Sequence, residues 1–529
     1  MMRRLWVALF LLAPAAFGAI EFLLTDKQNL EQNESADHEV CIIGAGPSGV
    51  GAAHHLVQKG YSNILLLEKL DRIGGKCRDI ERADNANGEF VNRTYNLGAI
   101  LMLRDYKEVP ELADIYGRTF ELFALGVPQS FFTDFNAKKL FTPSLPLTNI
   151  GSLLELNSIE DLQEIIVGVT SILAYVDIWK GYVAIDEETG EPDPKRPLAY
   201  EPTLTSIDFD RYPELADPAN KFIADRFTER GLGPEHIEFF RNALFVVEDT
   251  GYLSADFTPM AYWLRGLTPT FIFEGLTGTF QRLVGGCTSL LKAIVDTLSA
   301  KGKLEVMLSA EIVNTVRESD QPSLIQLSDG TERTCDRIIV AFPQITADMK
   351  FLSLDEEEND VFGKVYHAPY VSTLVDLSYE HMPNPKTSRL LGNLDTSVQP
   401  PALRSVVGAG HPALIVAIYG ADPGAGLIVY QSYDRQQHPF NDTLKQDSAQ
   451  IMTEIFFNGD SKEYEANLTE VNFWTYFPHV SGEELRAGFY QRLEALQGNK
   501  KTYWTGGLLK FDIVDAAMVY SRYLVETYF

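Results

Sequence analysis

The sequence predicts an α/β fold built from two interleaved domains, on three observations. A strand, glycine turn, helix and second strand closed by a carboxylate lie near the N-terminus; two later glycine turns each open onto a helix; and 529 residues are too many for one ordinary core. An apolar fraction of 45% suits a globular chain, and a net charge of −28 argues against nucleic acid or anionic membrane as partner, since either would repel it.

The first unit runs from Val40 to Glu68. Val40 to Ile43 is an apolar run of strand length, Val50 to Val57 a helical stretch, and Ile64 to Leu67 a second apolar run. The intervening G-x-G-x-x-G assigns each glycine a task. Gly44 permits the tight turn, Gly46 lets backbone approach a pyrophosphate, and Gly49 lets the helix pack close on the sheet. Pro47 and Ser48 open the helix, whose unsatisfied N–H groups and macrodipole suit a phosphate. Glu68 stands about 20 residues beyond the last glycine, where an acid meets a ribose 2′-hydroxyl and repels a 2′-phosphate. Such a glycine pattern also arises by chance in turns; the strand before it, the helix after it and the closing carboxylate are what dinucleotide binding requires.

Residues 1–18 read as a secretory signal peptide: Arg3 and Arg4, an apolar run from Leu5, then small residues around Gly18. The alternative is an uncleaved anchor, but the run falls short of the ~20 residues that span a bilayer. No later stretch reads as long and apolar enough to span. Sequons at Asn33, Asn92, Asn441 and Asn467 fit an exported chain. Cys41, Cys77, Cys287 and Cys335 are widely spaced without C-x-x-C, so neither a disulfide framework nor a zinc site is expected, and Cys41 reads as a buried thiol.

After Glu68 come Lys69, Arg72, Gly74, Gly75 and Lys76, closing on the place where a pyrophosphate would lie. G-x-G-x-x-G, Glu68 and R-I-G-G-K together resemble the FAD-dependent amine oxidase superfamily, within the glutathione-reductase-like flavoproteins. The resemblance implies a Rossmann-like FAD-binding domain of glutathione-reductase type, interleaved with an α+β substrate-binding domain. The family commonly has Arg where this chain has Lys76, which keeps a phosphate-facing cation but loses the bidentate fork. Tyr95 to Ala99 resembles the family segment in which Gly98 and Ala99 would run under the isoalloxazine ring. Leu283 to Cys287, a helix over Thr288 to Leu298, and strands around Leu304 to Leu308, Glu311 to Val316 and Leu324 to Leu327 resemble the middle segment, where the backbone at Ile312 would meet adenine. Thr505-Gly506-Gly507 and a helix from about Asp512 to Tyr523 resemble the third. Gly506 and Gly507 would lie at the ribityl and pyrophosphate, and Val514 would donate a backbone N–H toward the N1–C2=O edge.

On this basis 38–110, 271–345 and 471–529 form the FAD-binding domain, and 111–270 and 346–470 the substrate-binding domain. Ser158 to Ile178 and Gly233 to Val247 carry helical apolar spacing. Asn472 to His479 resembles the strand that brings an aromatic to the flavin, making Phe473 one wall of the substrate path and Tyr503 the other. Monoamine oxidases have a flavin-bonded cysteine where this chain has Asn472, so FAD would be held non-covalently. Hydride transfer to N5 demands only orientation and exclusion of water, and no triad, carboxylate pair or metal cluster can be extracted. The C-terminal third is similar to a subgroup with secreted algal polyenoic fatty acid isomerases and fungal β-cyclopiazonate dehydrogenase. The expectation is a secreted FAD-dependent oxidoreductase acting on a small, apolar substrate and reoxidised by oxygen. A redox-neutral isomerase of polyunsaturated fatty acids and a non-catalytic flavin-fold binding protein are the alternatives.

Overall fold

The apolar runs that read as strands pair side by side. VCII at Val40–Ile43, ILLL at Ile64–Leu67 and RIIV at Arg337–Val340 are almost wholly buried, the pattern of parallel strands covered on both faces. In the computed structural model they form a five-stranded parallel sheet in the order Thr502–Trp504, Arg337–Val340, Val40–Ile43, Ile64–Leu67, Leu304–Met307. The structure describes residues 40–86, 89–123, 129–134, 139–141, 159–183, 205, 207–247, 251–252, 254–277, 279–376, 388–395, 402–404, 413–418, 427–432 and 467–529. The expected signal peptide, Asn33 and Asn441 lie outside them.

Helices flank this sheet: Pro47–Gln58, Cys287–Ala300 and Val514–Tyr528, each near its sequence prediction. A three-stranded antiparallel excursion, Ile312–Val316, Ser323–Leu327 and Glu332–Cys335, leaves the sheet and returns to it. A larger mixed sheet joins strands at Gln129–Asp134 and Lys139–Phe141 to strands from Tyr366–Asp376 through Asn467–His479. The two long inserts therefore share one sheet. The strand Asn467–His479 runs through residue 470, where the sequence placed a boundary.

The cysteine expectation is corrected. Cys41 is disulfide-bonded to Cys335, 294 residues away, and Cys77 to Cys287, 210 residues away. Spacing along the chain carried no sign of this, because each pair meets only when segments far apart in sequence come together in the fold. The membrane expectation is also revised. Ile165–Val183, within the helix Ile159–Val183, is long and apolar enough to cross a bilayer by length and composition. Its buried side is spent on protein: Tyr175 Oη donates to Leu267 O and Trp179 Nε1 to Leu264 O, each at 2.8 Å.

Candidate cofactor and active site

The glycine turn is built by close backbone approach. A Cβ on Gly49 would stand 1.9 Å from the carbonyl oxygen of Gly44, so no other residue lets the helix sit this near the first strand. The helix Pro47–Gln58 begins at Gly46 with no side-chain cap, leaving its first N–H groups to a ligand. Glu68 is buried at the turn's mouth and accepts from Ala45 N at 2.7 Å and Leu70 N at 2.9 Å. Each carboxylate oxygen keeps a lone pair for a further donor. Ser309 N and Ala310 N donate to Leu70 O and Glu68 O, each at 2.8 Å, which draws the segment leading to Ile312 alongside Glu68. Lys69 is exposed and 3.9 Å from Glu311.

The R-I-G-G-K loop closes over this turn. Gly74 N donates to Ala45 O at 2.9 Å. Gly75, at φ 53°, sits so close that a Cβ would meet Gly46 Cα at 2.9 Å. Glycine at 75 thus lets the loop close directly on the Gly46 backbone, while a Cβ on Gly46 would make ordinary contact with Gly75 Cα at 3.6 Å, the close approach that a pyrophosphate cradle uses. Arg72 is turned inward: Nη1 and Nη2 both donate to Gly75 O at 3.2 Å. Burial, then the neighbouring Arg78, holds its pKa below the ordinary value. Arg72 therefore braces the loop. The Cys77–Cys287 bond and Thr288 N, donating to Asp79 Oδ2 at 2.7 Å, pin the loop to the helix Cys287–Ala300. Gly98 presses on the Lys76 carbonyl, and Ala99 packs on the core beside it.

Lys76 is paired within the protein. Its ammonium is 2.6 Å from Asp512 Oδ2 and 5.2 Å from the Tyr476 ring centroid. The same carboxylate oxygen accepts from Phe477 N at 2.7 Å, and Asp512 O accepts from Tyr476 Oη at 3.2 Å. Asp512 thus ties the R-I-G-G-K loop, the strand Asn467–His479 and the third glycine turn together. Next to it begins the C-terminal helix, Val514–Tyr528, again with no side-chain cap. Gly506, at φ 132°, and Gly507 lead into it, and Gln344 Nε2 holds the turn through Thr505 O at 2.9 Å. Ser521 Oγ donates to Ser48 O at 2.8 Å, locking this helix to the first. Asp515 accepts from Glu108 N and Val109 N at 2.8 Å, capping the helix Glu108–Ile115 from outside it.

The described contacts of the two expected walls are with different neighbours. Phe473 packs with Val471 on Val371. Tyr503 packs against Phe529 and Tyr528, with centroids 4.6 and 6.0 Å away. That is the last turn of the C-terminal helix, and 15 residues at about 1.5 Å each put it roughly 20 Å from the open N-terminus. The aromatic cluster beside Asp512 is formed instead by Tyr476, Tyr252, Phe477 and Phe511. Tyr252 stacks on Phe511 at 5.1 Å, and its hydroxyl is 3.1 Å from that of Tyr476. Burial raises both phenols' pKa values, so each stays neutral and apolar apart from its O–H. Asn472 shares Tyr476's strand face by alternation, and its buried Nδ2 has no hydrogen-bond partner. This donor is free to be met by a water or a bound ligand.

The structure brings Gly44, Gly46, Gly49 and Glu68 together at one turn, whereas Asp512, Asp515, Gln344 and Tyr476 were not singled out from the sequence. Tyr476 stood inside the quoted Y-F-P segment, and strand alternation from Asn472 was the available signal. Asp512 and Gln344 gave none, since their partners are distant in the chain. Among the described residues no group of His, Cys, Asp and Glu could hold a metal.

Comparison with known proteins agrees with this geometry. Residues 42–118 match the NAD(P)-binding Rossmann-like domain family. An uncharacterised protein of Acanthamoeba polyphaga mimivirus is 23% identical over 93% of this chain and 93% of its own length. Polyenoic fatty acid isomerase of Ptilota filicina is 22% identical over 57% of this chain and 56% of its own length. Among solved structures, the fatty acid isomerase from P. acnes that produces CLA covers 94% of this chain and 100% of its own, with TM-score 0.65 and 22% identity. Putrescine oxidase bound to putrescine covers 92% of this chain and 98% of its own, with TM-score 0.60 and 13% identity. The chain carries a Rossmann-like dinucleotide-binding domain within the fold of the FAD-dependent amine oxidases, a fold it shares with a fatty acid isomerase.

Proposed function

We propose that the protein is a secreted enzyme that holds FAD non-covalently and takes a hydride from a C–H bond of a small, apolar substrate. The observation that carries this reading is the facing pair Gly46 and Gly75 between two helices with uncapped N-termini. That is a cradle for two phosphates and a flavin, with Glu68 and the backbone near Ile312 at its adenosine end. FAD, when bound, supplies a two-electron acceptor at N5. The chain's own part is to orient and to keep water out: Tyr252, Tyr476, Phe477 and Phe511 give an aromatic surface, and Asn472 gives one directed donor. We retain Phe473 as the aromatic wall to test by substitution. The division into 38–110, 271–345 and 471–529 against 111–270 and 346–470 is our working assignment of cofactor and substrate domains.

Non-covalent attachment is supported by the cysteine inventory. All four are in disulfides, and Asn472 stands where monoamine oxidases have the bonded cysteine. The same two bonds favour an oxidising compartment and hence export, and Asn92 stands exposed for glycosylation. Oxygen is the acceptor we assign, with peroxide as product. A second reading is favoured by the two isomerases among the similar proteins and by the aromatic cluster: redox-neutral isomerisation, in which the hydride taken from a bis-allylic carbon returns elsewhere on the same polyene.

The test is a visible spectrum of the secreted protein, followed by addition of amines or polyunsaturated fatty acids with and without oxygen. Flavin bleaching without oxygen and peroxide release with it support the oxidase. Conjugated-polyene absorbance growing without oxygen uptake supports the isomerase. A protein that takes up no flavin sinks both.

A further inference from the structure

We propose that Lys76 and Asp512 are positioning residues that set how strongly the site accepts negative charge at the N-terminus of the C-terminal helix, Lys76 favouring reduced flavin and Asp512 opposing it. The inference rests on the flavin reading above. The cation that the R-I-G-G-K motif would aim at a phosphate is committed instead to a carboxylate 2.6 Å away, beside the uncapped start of Val514–Tyr528. The side chains are only 25% and 13% exposed, so their charges are weakly screened. Together they are neutral. Apart they are not: Asp512 is fixed by Phe477 N and by its place in the turn, so it stays when the lysine is removed. Two-electron reduction adds negative charge to the flavin, which an unpaired Asp512 would resist and an unpaired Lys76 would welcome.

The experiment reconstitutes the full chain with FAD and measures the midpoint potential by equilibration with a redox dye, for wild type, Lys76→Met, Asp512→Asn and the double variant. Lys76→Met lowers the potential and Asp512→Asn raises it, each by about tenfold in the oxidised-to-reduced equilibrium, or about 30 mV for a two-electron couple. The double variant returns close to wild type. Thermal unfolding of the flavin-free proteins is read in parallel. Shifts of the same sign, or flat potentials with lowered melting temperatures, would make the pair a mere strut and overturn the proposal. Wild type that binds FAD with flat variants overturns this proposal alone; wild type that binds none overturns the flavin reading with it.

Discussion

Two of the ion pairs that join distant segments, Arg317–Glu358 and Lys76–Asp512, are finished to different degrees. Arg317 and Glu358 are 1% and 0% exposed, and the guanidinium also donates to Leu352 O, Ser353 O and Thr502 Oγ1. The helix beside them, Glu356–Gly363, has a complete capping box from Asp355 and Glu358. At Lys76 and Asp512 the helix has no cap, and Asn472 Nδ2 on the neighbouring strand lacks a partner. Where Arg317 and Glu358 satisfy one another and the backbone around them, the chain has closed a structural joint. Around Lys76 and Asp512 donors are left over in a partly buried place, as the proposed ligand site would require.

The largest expected effect tests the closed joint. Glu358→Gln leaves the Arg317 charge buried without its counterion, which costs about 3–5 kcal/mol, and urea denaturation reads the loss. Flavin affinity per folded molecule stays at the wild-type value. A loss below about 1 kcal/mol, the scale of an exposed pair, or selective loss of flavin would break the contrast.

Next come the disulfides, which divide along the same line. Cys41–Cys335 joins two runs of strand, whereas Cys77–Cys287 anchors the loop that carries Gly75 and Lys76. Replacing either pair by serine lowers stability by about 2–4 kcal/mol. Only the Cys77→Ser, Cys287→Ser protein also releases FAD faster on dilution, because the cradle loop has lost its tether. Equal release from both variants would show that the bond near the cradle is no more than another staple.

What the sequence disclosed follows the same contrast. The parallel strands were legible because VCII, ILLL and RIIV are runs that only a doubly covered sheet buries, and the turn was legible because Gly44, Gly46 and Gly49 answer to local backbone sterics. Residues that work through partners far along the chain were not. Cys77 and Cys287, Lys76 and Asp512, and Asp515 over the helix at Glu108 all meet across hundreds of positions. The Tyr503 motif fixes the strand Thr502–Trp504, but the ring's neighbours Tyr528 and Phe529 come from the far end of the last helix, which no local pattern announces.

The smallest effect concerns the far end of the glycine-turn helix, where His54 is buried with Nδ1 2.7 Å from Tyr116 Oη. Burial, then the neighbouring His55, lowers its pKa from 6.5 to about 4, with Arg522 and Lys301 acting the same way and Glu111 opposing. Because the folded value lies below the unfolded one, the stability is fully present above pH 6.5 and drains as pH falls toward 4. Between about pH 7 and about pH 5 the loss from this one group is about 2 kcal/mol. His54→Asn, which keeps a polar atom toward Tyr116 but cannot titrate, flattens that slope in urea denaturation across the interval. Its FAD affinity stays unchanged, since the imidazole lies at the closed end of the helix and the open N–H groups at the other. An unchanged slope in the variant would place the acid sensitivity elsewhere, and a changed affinity would mean that the two ends of the helix are coupled.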